Sequence, residues 1–69
     1  MTLHPKAHQA HLQQDTWWEV FLDVHSQRTG LEEEDFDKED DLTRYYTLST
    51  TPYQGVSEDI EKFGLVEFA

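Results

Sequence analysis

Sixty-nine residues with fifteen Asp and Glu against five Lys and Arg give a formal net charge of -10 and a pI near 4.4. A chain of this sign repels polyanions, which argues against direct binding of DNA, RNA or an anionic membrane and favours cationic partners. The length allows one small domain that buries only about 60% of its unfolded surface, and the absence of cysteine removes both a disulfide framework and a thiolate metal site. Aromatic residues at 13% argue against full disorder, which usually goes with few of them.

From Met1 to about Gln14 apolar residues are sparse, and this stretch reads as a flexible polar arm or short helix ahead of a single domain over 15–69. It has no apolar core of the signal-peptide kind, and the longest mostly apolar stretch, Trp17 to Val24, is broken by Glu19 and Asp23. A cytoplasmic location is the resulting expectation. His4, His8 and His11 could line one face of a helix and offer imidazole nitrogens to a metal, but no further ligand precedes Asp15, so a solvated arm is expected.

In the segment Thr16 to His25, Trp18, Val20, Leu22 and Val24 alternate as one apolar face, the signature of a half-buried strand. A helix is the competing reading, with Thr16 and Glu19 as a capping box and Gly30 as its stop. The strand is preferred because a helix would spread Trp17, Trp18, Phe21, Leu22 and Val24 around most of its circumference. His25 then falls at the strand's end, as a surface residue.

After a turn at 26–30 comes the chain's most distinctive feature. The ten residues Glu32 to Asp41 hold eight of the fifteen carboxylates (Glu32, Glu33, Glu34, Asp35, Asp37, Glu39, Asp40 and Asp41) and one base, Lys38. Coiled as a helix, the block would present one carboxylate per roughly 1.9 Å of axis, near the one charge per ~1.7 Å of duplex DNA. Extended as a strand, it would present one per ~4 Å. Like-charge pairs such as Glu33/Asp37 and Asp37/Asp41 each weaken a helix by about 0.2–0.5 kcal/mol, so the block is expected to be a marginal helix or an acidic loop that a basic partner would steady.

Leu42 to Thr51, rich in Thr and Tyr, is the second strand candidate, broken by Pro52-Tyr53-Gln54-Gly55. Ser57 is a suitable N-cap for a short helix over 58–63 with Gly64 at its stop, and Leu65 to Phe68 closes as a third strand or a tail. The expected architecture is α+β: a small antiparallel sheet of two or three strands, one short helix, and an acidic helix or loop connecting the first two strands.

The acidic block, with Glu58, Asp59 and Glu61 as a second acidic row, points to a protein that imitates a nucleic acid. Adjacent aromatics on a strand face opposite ways, so Trp17 and Tyr45 are candidates for an exposed apolar anchor. An adaptor that binds through such a Trp/Tyr face is the first alternative. The second is a weak divalent-metal binder, since Asp35, Asp37 and Glu39 alternate as in a calcium loop. There, however, Asp40 stands where Gly is needed and Tyr46 where the bidentate Glu belongs. No dedicated metal or cofactor site is expected. No nucleophile elbow, glycine-rich phosphate loop or metal motif is present, and a non-enzymatic role is expected.

In length and charge the chain is similar in kind to the small DNA-mimic inhibitors of phages and mobile elements, including anti-restriction and anti-CRISPR proteins. That resemblance implies a decoy acting on the basic surface of a nuclease, effector complex or transcription protein, in the host cytoplasm if the chain is phage-encoded.

Overall fold

The structure, a computed structural model, describes Gln9 and residues 11–68. His4 and His8 of the histidine-lined arm lie outside the described residues, and His11 is exposed. The fold is helical and contains no strand among the described residues, which overturns the α+β expectation. Its elements are α1 (Gln14–Thr29), a 3-10 turn (Glu33–Asp35), α2 (Lys38–Asp41) running into a π-helical turn (Leu42–Tyr46), and α3 (Pro52–Phe63). None of these helices is long and apolar enough to cross a membrane.

The segment read as the first strand is the heart of α1. Trp17, Phe21, Val24 and His25 stand at i, i+4, i+7 and i+8 and form one buried stripe, flanked by buried Trp18 and Val20. The broad apolar circumference that argued against a helix is what a central helix requires. Phe36, Leu42, Tyr45 and Val56 from three later segments join this aromatic core. Trp17 stacks on Phe21 at 5.1 Å between centroids, Trp18 stacks on Phe21 at 5.5 Å, and Phe36 lies 4.6 Å from the His25 ring. Each buried side chain of the Val, Leu or Phe class contributes about 1.5–3 kcal/mol.

The two tryptophans also position the connections. Trp17 Nε1 donates to the Thr50 carbonyl at 2.8 Å, and Trp18 Nε1 donates to Glu33 Oε2 at 3.0 Å. One indole thus holds the loop before α3 and the other holds the start of the acidic block. Helix α1 stops at Gly30, whose φ of 76° is left-handed and whose N–H reaches Ser26 O at 2.9 Å.

Helix α3 begins six residues earlier than an N-cap at Ser57 would have placed it. Thr51 is the N-cap, its hydroxyl accepting from Gln54 N at 3.1 Å, and Pro52 occupies the first helical position, where a missing N–H costs nothing. Gly55, read as part of a chain-breaking turn, sits inside the helix. A Cβ there would lie 3.3 Å from both the Phe21 and Tyr45 rings, so the glycine allows α3 to approach α1 and the π turn closely. The expected stop at Gly64 is observed. Leu65 to Phe68 forms no strand: this tail returns to the end of α1, where Phe68 N donates to Arg28 O at 2.6 Å and Arg28 pairs with Glu67.

Candidate functional site: an acidic cleft above a buried polar network

The acidic block folds in two pieces. Glu32 and Asp35 cap one another across the 3-10 turn, with Asp35 Oδ2 accepting from Glu32 N at 2.9 Å. Phe36 and Asp37 are extended, and Asp37 then caps α2 by accepting from Asp40 N at 3.2 Å. The extended residues interrupt the block, so the uniform duplex-like spacing of a single continuous helix does not run through all ten residues. Short aspartate side chains favour such caps over helix interiors.

Seven of the eight block carboxylates are exposed: Glu32, Glu33, Glu34, Asp35, Asp37, Glu39 and Asp40. Asp41 is buried. On α3, Glu58 and Glu61 are exposed while Asp59 is buried, so the second acidic row is broken at its centre. Trp17 and Tyr45, at 0% and 2% exposure, belong to the core, which corrects their assignment as an exposed anchor. Both side chains are drawn inward because their segments are helical and present them to the α1–α3 interface. The large exposed apolar side chains among the described residues are instead Leu48, Phe63, Val66 and Phe68.

Between the acidic block and the C-terminal end of α3 lies a cleft of about 260 Å³. Its lining combines five aspartates, Asp35, Asp37, Asp40, Asp41 and Asp59, with a single base, Arg44, and with Leu31, Phe36, Phe63 and Leu65. Arg44 also lines an open hollow on its other side, shared with Glu58 and Glu61. This arginine therefore stands between the two acidic groups. It pairs with Asp40, donates to Asp41 Oδ1 at 3.2 Å, approaches Asp59 Oδ1 at 3.8 Å, and lies 5.6 Å from the Phe63 ring centroid.

Beneath the cleft is a polar network inside the core. His25, fully buried on α1, meets Asp59 Oδ2 on α3 through Nε2 at 3.2 Å, and the Tyr45 hydroxyl donates to Asp59 Oδ1. Thr29 uses its only hydroxyl hydrogen on the His25 carbonyl at 2.7 Å, so it accepts from His25 Nδ1 at 2.9 Å.

Burial pushes the Asp59 carboxyl up, but hydrogen bonds from His25 and Tyr45, with the charges of His25 and Arg44, outweigh it and hold the group below the usual range. Asp41 behaves oppositely. Burial and then the neighbouring Asp59 charge push its carboxyl up to about 6, with Arg44 only partly offsetting them. Burial, followed by the bond to Asp59, raises the Tyr45 phenol. Asp41 Oδ2 is the buried side-chain oxygen left without a hydrogen-bond partner among the described residues.

His25 and Arg44 are the network members that reading the chain as strands concealed. His25 continues the stripe of Trp17 and Phe21 at i+8 and i+4, and Arg44 follows Asp40 and Asp41 at helical ion-pair spacing, so both signals exist once a 3.6-residue period is assumed. No three His, Asp or Glu side chains among the described residues are placed to hold a metal ion together. The aspartates of the cleft instead form an apolar-walled, negatively charged hollow suited to an organic cation. No protein-family model matches this chain, and neither a curated protein nor a solved structure matches it.

Proposed function

We propose that this protein is an acidic decoy that occupies the basic, nucleic-acid-binding surface of another protein and inhibits it. A nuclease or effector complex of a restriction or CRISPR defence, met in the cytoplasm, is the partner of the antidefence kind. The observation that carries the reading is the exposure of seven block carboxylates beside a cleft lined by five aspartates and one base. The decoy is a patch of carboxylates rather than a continuous rod, so it substitutes for a few phosphates clustered in space. Binding is steered by charge and weakened by salt.

The test is capture from host lysate at low and high salt, followed by competition with duplex DNA. Basic nucleic-acid-binding proteins are expected to be retained at low salt, released at high salt and displaced by the duplex. Absence of such proteins from the low-salt capture would remove the decoy reading.

A further inference from the structure

We propose that Arg28 and Gly30, at the end of α1, form a docking site for a short acidic–aromatic segment of a partner protein, a glutamate followed by a phenylalanine, and that Glu67 and Phe68 of this chain occupy the site as an internal competitor. The site takes an anionic segment, the opposite of what the acidic block takes, and goes beyond the decoy reading.

Three contacts define the ligand. Arg28 Nε donates to Glu67 Oε1 at 2.5 Å and Nη2 pairs with the same oxygen, so the first position is a carboxylate. The Arg28 carbonyl is one of the last four of α1 and lacks a helical partner. It accepts from Phe68 N at 2.6 Å, which fixes the register of the segment. The second position is a ring whose tip enters the space a side chain at position 30 would fill, since a Cβ on Gly30 would lie 2.5 Å from Phe68 Cζ.

The receptor is held in place by groups other than its occupant. Arg28 Nη1 donates to Ser57 Oγ on α3 at 2.9 Å, its guanidinium carbon lies 5.1 Å from the Tyr53 ring centroid, and its side chain is 12% exposed. Gly30 is fixed by its own bond to Ser26 O, and Leu31 N donates to Thr29 Oγ1 at 3.3 Å. The occupant is held far less: Val66 is 82% exposed, Phe68 61% and the Glu67 side chain 41%. A pre-set, largely buried arginine facing a half-exposed tail has the asymmetry of a site and an exchangeable ligand, because the ordering cost falls on the segment alone.

A tethered tail competes at an effective concentration on the order of millimolar. A partner that presents the same two residues together with further contacts displaces it, and the tail sets the threshold that such a partner has to exceed.

The probe is the acetylated and amidated peptide Leu-Val-Glu-Phe, titrated by NMR into the full parent chain and into the variant Glu67→Ala/Phe68→Ala, which lacks both cis anchors. The variant is expected to bind the peptide saturably, with shifts at Arg28 Nε and the Gly30 amide, and at least about tenfold more tightly than the parent, which has to release its own tail first. Peptides with Gln in place of the glutamate or Ala in place of the phenylalanine bind the variant at least about threefold more weakly. In the parent, excess peptide removes the nuclear Overhauser contact between the Phe68 ring and the Gly30 α-hydrogens, a reading that needs no variant.

Failure of the peptide to saturate the double variant, equal affinity for parent and variant, or equal affinity of the three peptides would each overturn the assignment. So would concentration-dependent dimerisation of the parent that Glu67→Ala abolishes, because the occupant would then be the tail of a second copy. None of these results bears on capture of basic proteins by the acidic patch.

Discussion

Asp41 on α2 and Asp59 on α3 converge on the same guanidinium nitrogen, Arg44 Nη1, at 3.2 and 3.8 Å, yet their carboxyls are displaced in opposite directions. Only Asp59 is bonded to both His25 and Tyr45, so it holds the charge, and Asp41 bears the repulsion as well as the loss of water. Neighbouring carboxylates that compete for one stabilising environment separate in this manner.

Asp41→Asn should therefore change the pH profile of stability. A carboxyl raised in the fold from 3.8 to about 6 contributes stability that is fully present below pH 3.8 and lost as pH rises through about 6. The displacement corresponds to at most about 3 kcal/mol. At pH 3.5 the variant and the parent should unfold at similar urea concentrations, and at pH 7.5 the variant should be the more stable by up to that amount. A variant that keeps the parent's loss of stability between these two pH values would contradict the assignment.

Asp59 has the opposite sign. Its depressed carboxyl gives stability that is present above the ordinary carboxylate range and disappears as pH falls through its lower folded value. Asp59→Asn removes the buried carboxylate on which His25, Tyr45 and Arg44 converge and should cost about 3–5 kcal/mol, comparable with the whole stability of a small domain. Tyr45→Phe is milder: it removes one donor to Asp59 and should cost about 1–3 kcal/mol, or roughly 4–8 °C of thermal midpoint per kcal/mol. Circular-dichroism melts at pH 6 read both, and a neutral Tyr45→Phe would mean that the network contributes little.

Legibility of the fold in the sequence turned on the choice of period. Trp18, Val20, Leu22 and Val24 satisfy an alternating pattern, and Trp17, Phe21, Val24 and His25 satisfy a helical one, because a helix buried on several sides shows apolar residues at nearly every spacing. The stops at Gly30 and Gly64 and the concentration of acid at 32–41 were readable, since left-handed caps and charge are local properties. The burial of Asp41 and Asp59 was not. It follows from the packing of α3 against α1 through Gly55 and from the π turn that carries Arg44 and Tyr45 to Asp59, neither of which has a local signature.

Gly30 should tolerate no side chain. Its φ of 76° costs an L-residue about 1–2 kcal/mol, and an added Cβ would lie 2.5 Å from Phe68 Cζ. Gly30→Ala is expected to destabilise the fold by more than the conformational cost alone. Phe68→Ala in the same chain should recover the excess but not the remainder. Urea unfolding of the two single variants and the double variant measures this non-additivity, and strict additivity would show that the C-terminal tail does not rest on Gly30.

The decoy reading implies a conflict between stability and partner capture at the exposed glutamates. Glu34, Glu39, Glu58 and Glu61 are exposed and add to the self-repulsion of a chain with net charge -10. Amidating them to Gln should raise stability by a few tenths of a kcal/mol each, the scale of like-charge pairs on a helix surface. The same changes should weaken capture of a basic partner and flatten its salt dependence, because fewer charges take part in the contact. Denaturant midpoints and salt-dependent binding of the fourfold variant are measured side by side. A stabilised variant with undiminished capture would show that the surface carboxylates serve solubility alone, whereas a fall in both quantities would assign them a structural role.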